Sequence, residues 1–283
     1  MRYLLLLFLL SFCLPAGNAQ TMIYLSQDQG TSWQPLDAGL PQGAVLRAVT
    51  QQEEDLWLAT DVNGVYRLPA GATAWEHRSN GLPEDVFVTS MAVNGDIIAV
   101  GTYRHGIFVS PDRGRYWRRP IANPIGVAVQ DLHFTNGIIV AATDRGIFRS
   151  YDGGLGWIGD PSDYLQVNAL TEMSERMLAG RRDGIMISRD GGSHWTKVWD
   201  GGEIWDFAVD GNTLYAFGRY NLRSTDGGKT WKEFDPATSY QTSPHNLYER
   251  RWRGITIKGP EERVLRAVTP THRGWIAGVG AGC

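Results

Sequence analysis

One eight-residue pattern constrains this chain more than any other feature. Ser-x-Asp-x-Gly-x-x-Trp occurs at Ser26–Trp33, Ser110–Trp117, Ser150–Trp157, Ser188–Trp195 and Ser224–Trp231. A sixth stretch, Leu68–Trp75, keeps the tryptophan but has Leu68, Ala70 and Ala72 where serine, aspartate and glycine belong. The tryptophans Trp33, Trp75, Trp117, Trp157, Trp195 and Trp231 are spaced by 42, 42, 40, 38 and 36 residues. A repeat of that length holds four short strands with their turns and cannot bury its apolar face alone, so neighbouring repeats must stack.

Each copy lies between a β-rich run, such as Gly146–Arg149, and a short strand that starts at the tryptophan. It reads as a hairpin turn. The carboxylates of Asp28, Asp112, Asp152, Asp190 and Asp226 can accept hydrogen bonds from the turn's own N–H groups, and the glycine supplies positive φ. The tryptophan ring then packs on the neighbouring sheet. The role is structural: one carboxylate per turn offers too few oxygens for calcium, and six equivalent surface turns would not share one catalytic task.

These residues resemble the Asp-box (BNR) repeat β-propeller proteins, which include sialidases, xyloglucan-degrading glycosidases, sortilin-type receptors and photosystem II assembly factors of the Ycf48 type. The resemblance spans nearly the whole chain after its first twenty residues and implies a propeller. It says little about activity, because the shared motif lies away from the family's active sites. A sialidase would carry an Arg-Ile-Pro segment ahead of its first box, and here the first box begins six residues after Gln20. The nearest letters, Arg119-Pro120-Ile121, follow a box instead.

Two strand-like runs precede each later box, for example Asp131–Phe134 with Gly137–Ala142. The first hairpin, Tyr24–Leu36, has no such pair before it, and the last pair, Val264–Val268 with Gly274–Gly278, has no box after it. The hexapeptide Val45–Thr50 recurs letter for letter as Val264–Thr269, which sets the register. The expected fold is all-β, a six-bladed β-propeller with four-stranded blades, closed by N- and C-terminal segments sharing one blade. Closure of that kind removes free sheet edges.

Arg2, the apolar run Leu4–Leu10 and the small residues Ala16, Gly17 and Ala19 read as a secretory signal peptide over residues 1–19, cut before Gln20. Lipidation of Cys13 is disfavoured by Phe12 directly before it. The remainder, 20–283, is expected to be a single propeller domain, secreted or periplasmic and not an integral membrane protein. Loss of Cys13 would leave Cys283 alone, with no internal disulfide framework. A net charge of −3 supplies no field for gathering nucleic acid. Of the 27 basic residues only four are lysine, so anion recognition would rely on planar guanidinium forks.

With the boxes at the turn between third and fourth strands, the loops between second and third strands lie on the opposite face. Those loops carry Asp61, Tyr103-Arg104-His105, Asp144-Arg145, Arg181-Arg182-Asp183 and Arg219-Tyr220. Arginine recurs there in four successive repeats. The stretch from the last box to the final inner strand is 33 residues long, against 12 after the first box, and the insertion, about 235–262, adds Trp252 on the same side. Candidate ligand-binding residues are therefore Tyr103, Arg104, Arg145, Arg181, Arg182, Arg219, Tyr220 and Trp252. The competing account pairs each arginine with a nearby aspartate such as Asp144 or Asp183, as ordinary loop chemistry.

No cofactor is called for. The six histidines have no metal-ligand spacing, and nothing in the spacing of Asp61, Asp85, Asp144, Asp163, Asp183 and Glu249 selects a catalytic pair. The chain reads as a monomeric binding or scaffolding module for a protein or carboxylate-bearing glycan partner. A glycoside hydrolase without the sialidase arginine motif is the alternative.

Overall fold

A computed structural model describes residues 23–27, 32, 34–42, 44–121, 128–159, 165–234, 249–252, 255–258, 265–271 and 274–279. The expected signal peptide, Asp28 and Trp33 of the first box, and much of the 235–262 insertion lie outside them. All assigned elements are strands.

The chain lays down one antiparallel sheet after another. Strands β3 (Leu46–Gln52), β4 (Asp55–Thr60), β5 (Val65–Leu68) and β6 (Glu76–His77) form one sheet in sequence order. The same order recurs in β10 (Val129–Thr135) to β13 (Ile158–Gly159), with β11 (Ile138–Thr143) and β12 (Gly146–Ser150) between them. It recurs again in β14 (Val167–Met173), β15 (Arg176–Arg181), β16 (Gly184–Ser188) and β17 (Thr196–Trp199). A further copy is β18 (Ile204–Asp210), β19 (Thr213–Gly218), β20 (Leu222–Ser224) and β21 (Lys232–Glu233). Between the first two of these sheets lies a three-stranded one, β7 (Val88–Asn94), β8 (Ile97–Thr102) and β9 (Ile107–Ser110).

That three-stranded sheet departs from the expected four. Its outer partner is reduced to a single bridge between Val109 and Arg118, which exchange both backbone hydrogen bonds at 3.0 Å. The next pair along would set Ile107 against Pro120, and proline has no N–H to continue the ladder.

The termini share a sheet. β1 (Ile23–Ser26) and β2 (Gln34–Pro35) stand beside β25 (Gly274–Val279) and β24 (Leu265–Thr271), in the order β2-β1-β25-β24. Tyr24 lies opposite Ala277 and Leu25 opposite Ile276, and Ile23 is buried. Part of the insertion is a two-stranded hairpin, β22 (Glu249–Trp252) with β23 (Ile255–Lys258), where the sequence suggested only loop.

Contacts between first strands link β24 to β3, β3 to β7, β7 to β10, β10 to β14 and β14 to β18. Second strands are consequently covered on both faces. All six residues of β4 are buried, and between Asp55 and Thr60 at its ends they read as a continuous apolar run. Each box tryptophan among the described residues fills the junction with the preceding sheet. Trp117 packs with Trp57 and Val65 of the sheet before it, Trp157 with Ala99 and Val109, and Trp231 against Leu178 and Ile185.

The boxes of Asp112, Asp152, Asp190 and Asp226 have the expected hydrogen bonds. In the box beginning at Ser150, its hydroxyl donates to Asp152 Oδ1 at 2.8 Å and accepts Gly154 N–H at 2.8 Å, while Asp152 Oδ1 also accepts the N–H groups of Leu155 and Gly156. The boxes of Asp112, Asp190 and Asp226 repeat this arrangement. Gly156 N–H, then the Ser150 hydroxyl, hold the Asp152 carboxyl below its ordinary range. For Asp226 the Thr230 hydroxyl is the largest such influence. Burial works the other way at Asp190 and is outweighed by the backbone N–H and ring of His194. The box glycine is needed twice over: Gly154 has φ +87°, and a Cβ there would lie 2.5 Å from Val109 of the preceding sheet.

The incomplete box is rescued from outside. Asp55 on β4 accepts Ala70 N–H at 3.0 Å and Arg67 Nε–H at 2.8 Å, placing a carboxylate where the turn lacks its own.

Candidate functional site

The face opposite the boxes is built around the end of each second strand. Thr60, Thr102 and Thr143 are buried there and donate their hydroxyls to the carbonyls of Gly64, Gly106 and Gly146. The following residue, Asp61, Tyr103 or Asp144, donates its N–H to the carbonyl just before the first strand, that of Val45, Phe87 or Ala128. Arg182 and Arg219 do the same to Gln166 and Glu203. Two loops are thereby tied together in each of these five repeats, which holds the side chains of this face on a firm base.

This pairing resolves the arginines into two adjacent registers. Arg182 and Arg219 stand in line with Asp61, Tyr103 and Asp144, whereas Arg104 and Arg145 come one residue later, in line with Asp183 and Tyr220. All four arginines are exposed, and none forms an ion pair among the described residues. Arg104 and Arg219 lie 5.8 and 5.9 Å from the rings of their neighbours Tyr103 and Tyr220. Tyr103 and Tyr220 are 53% and 37% exposed, so aromatic surface accompanies the charge.

Arg181 is different. It takes the register of the buried threonines, is itself buried, and sets its Nε 3.0 Å from Asp183 Oδ1. Lys197 donates to the other oxygen of Asp183 at 2.6 Å. Burial raises the Asp183 carboxyl, but Lys197 and Arg181 outweigh it and hold the group below its ordinary range. Pairing with a local aspartate therefore describes Arg181, while Asp144 spends Oδ1 on Ala128 N–H. Trp252 lies in β22, and its side chain is outside the described residues.

Sequence reasoning missed a second set of residues at this end. Every first strand in a sheet of three or more strands carries a β-bulge, and the extra residues include Arg47, Thr89, Asn168 and Trp205. Thr89 Oγ1 donates to Val129 O at 2.5 Å and Asn168 Nδ2 to Ile204 O at 2.8 Å, each crossing to the next sheet. Arg47 sits 4.6 Å from the Phe87 ring, and Trp205 is 58% exposed. The exact repeat of Val45–Thr50 was a visible marker of the strand, but an extra residue leaves no mark in alternation of so short a run.

Directly after the bulge, Asp131 accepts Leu132 N–H on Oδ1 and Leu170 N–H of the next sheet on Oδ2, both at 2.8 Å. The residue as a whole is half-buried, yet its carboxyl is enclosed, and burial pushes it up to about 7 against those two donors, with Asp206 adding repulsion. Such a titration range would suit a general acid. Both oxygens, however, are engaged in clamping two sheets together. Among the described residues no three His, Cys, Asp or Glu side chains are grouped to hold a metal ion, and no helix is long and apolar enough to cross a membrane.

No family model and no curated protein matches the chain. Solved structures do. The extracellular domain of BT4673 from B. thetaiotaomicron superposes with a TM-score of 0.62 at 17% identity, over 93% of this chain and 38% of that one. The GH74 xyloglucanase of Xanthomonas campestris gives a TM-score of 0.62 at 16% identity, over 91% and 51%. YCF48 bound to a D1 peptide gives 0.54 at 18% identity, over 69% and 68%. The chain thus spans about two fifths of the BT4673 domain and half of the xyloglucanase. Stacked antiparallel sheets, boxes at their hairpins and these superpositions together make the chain a β-propeller.

Proposed function

We propose that this chain closes as a six-bladed propeller, is exported to the periplasm or beyond, and binds an anionic partner on the face opposite its boxes. The partner is a carboxylate-bearing glycan or an acidic protein surface. One observation carries this reading: Arg104, Arg145, Arg182 and Arg219 stand exposed at the same end of four successive sheets, with no ion pair among the described residues. An arginine fork meets a carboxylate bidentately, and Tyr103, Tyr220 and Trp205 offer rings for the partner's apolar portion. Export is supported by the apolar run Leu4–Leu10 and by likeness to an extracellular domain. Six-fold closure requires one junction beyond those described, β18 against β24.

The hydrolase alternative draws support from likeness to a xyloglucanase fold. It is weakened because Asp131, the carboxyl with a raised titration range, is occupied by backbone N–H groups. The test is capture of partners from the native envelope by the full chain, followed by affinity measurement with Arg145→Glu combined with Arg182→Glu. Binding should fall in the variant and should weaken with salt, since exposed charges are screened beyond roughly 8 Å at physiological ionic strength. Unchanged affinity in a folded variant overturns the reading.

A further inference from the structure

The box face carries a separate feature. Between the boxes beginning at Ser188 and Ser224 opens a cleft of about 550 Å³. Ile187 and Val198 of β16 and β17 supply its apolar lining, Arg189 and Lys229 supply cations, and His194 and the Thr196 hydroxyl complete it. Arg189 and His194 come from one box and Lys229 from the next, so the cleft exists only where two repeats meet.

Its one lining carboxylate is already committed. Asp190 Oδ1 accepts the Ser188 hydroxyl and the N–H groups of Ser193 and His194, and Oδ2 lies 2.6 Å from His194 Nδ1. Arg189 and Lys229 form no ion pair among the described residues. Nor does the fold ask for Arg189 or His194. At the position of Arg189 the other boxes have Gln27, Pro69, Pro111, Tyr151 and Thr225, and at the position of His194 they have Ser32, Ala74, Tyr116, Gly156 and Thr230. A box tolerates almost anything there.

We propose that this cleft binds a phosphate monoester, with the dianionic phosphate held by Arg189 and Lys229 and the organic portion lying on Ile187 and Val198. Two cations match a dianion better than a single carboxylate, the Thr196 hydroxyl can donate a further hydrogen bond, and apolar lining next to the charges suits the carbon side of an ester. His194 keeps its Nδ1 on Asp190 Oδ2. The site is at the opposite end of β16 from Arg182, so it is independent of the partner-binding face.

The probe is phenyl phosphate, titrated into the full chain and followed by calorimetry, with benzoate and inorganic phosphate alongside. Phenyl phosphate should bind saturably and more tightly than either comparison ligand. Arg189→Ala combined with Lys229→Ala should weaken it about tenfold or more, the loss of charge-assisted hydrogen bonds from both cations. Both side chains are exposed, so the variant should keep its melting transition. Arg145→Glu with Arg182→Glu should leave phenyl phosphate binding intact, which separates this site from the opposite face. Equal binding of benzoate, no saturable binding at millimolar ligand, or unaltered affinity in Arg189→Ala with Lys229→Ala overturns the proposal.

Discussion

The indole N–H of Trp117 donates at 2.6 Å to the carbonyl of Arg78, thirty-nine residues earlier and in the preceding sheet. Trp75 makes the same bond to Leu36 at 2.8 Å, again across thirty-nine residues. Trp157, Trp195 and Trp231 instead donate to Gly154, Gly192 and Gly228 within their own boxes. One motif therefore uses its tryptophan in two ways. In both, the ring fills a junction between sheets, but among the described residues only Trp75 and Trp117 bind that junction with a hydrogen bond.

Trp117 is fully buried, and its removal should leave a cavity together with an unpaired carbonyl. Trp117→Ala is expected to cost about 3–5 kcal/mol, read as a lowered urea midpoint at unchanged slope. Trp195, half-buried and bonded within its own turn, should cost clearly less on the same substitution. Equal losses would mean that burial at the junction does not set the energy.

The terminal sheet offers a second test. β1 pairs with β25 from Ile23 to Ser26, so deleting residues 20–36 exposes an edge of β25. Loss of a cooperative melting transition, or aggregation by light scattering, is the expected result. A deletion variant that stays monomeric with the parent transition would show that the shared sheet does not hold the ends of the chain.

The repeat and its boxes were legible in the sequence because they depend on contacts within eight residues, where chemistry and spacing are visible together. Features resting on partners in other repeats were not. Asp55 completes the turn at Ala70 from fifteen residues away, and nothing in Leu68–Trp75 announces it. The recurring Gly39-Leu40-Pro41 and Gly81-Leu82-Pro83 passed unread, although a Cβ on either glycine would lie 2.2 Å from the carbonyl oxygen of Trp75 or Trp117 in the next sheet. Arginine recurrence on the opposite face was visible, but its division into two registers needed the strand pairing, as did the removal of Arg181 into a buried pair with Asp183.

Asp206 holds in β18 the place that Asp131 holds in β10, and its Oδ1 likewise accepts the following N–H, that of Phe207, at 2.8 Å. In β24 the residue in the register of Leu170 is Val268. Asp206 is thus expected to clamp Val268 N–H and close the ring as Asp131 clamps Leu170. Asp206→Ala should speed hydrogen exchange at Val268 and lower the melting temperature, while Asp200→Ala, which removes only a contact with Lys197, should leave exchange at Val268 unchanged. Exchange at Val268 unaffected by Asp206→Ala would mean that β18 and β24 do not meet through this clamp.

Asp131 and the box aspartates should respond to pH with opposite signs. The folded value of Asp131 is raised, so its contribution to stability is complete below the ordinary carboxylate range near 4 and is lost as pH rises through about 7. Asp131→Asn keeps one acceptor and cannot ionise. The stability gap between parent and variant, from urea midpoints, should be widest at and below about pH 4 and narrow toward pH 8. A gap that widens with pH would mean that Leu132 and Leu170 favour the ionised carboxylate after all.

The box of Asp226 gives the converse case. Its folded value is lowered, first by the Thr230 hydroxyl and then by backbone N–H groups and Ser224, so its contribution is present above pH about 4 and is lost as pH falls through the folded value. Asp226→Asn should therefore cost stability at neutral pH and lose that disadvantage progressively in acid. Thr230→Val, which removes only the bond to Oδ2, should move the acid limb of the parent curve upward in pH while leaving the neutral plateau closer to the parent than Asp226→Asn does. Because the carboxyl is exposed, solvent screens part of the effect and the shift should be modest. Midpoints between pH 2 and 7 that run parallel for the parent and Asp226→Asn would remove the carboxylate from the account of how the box holds its turn.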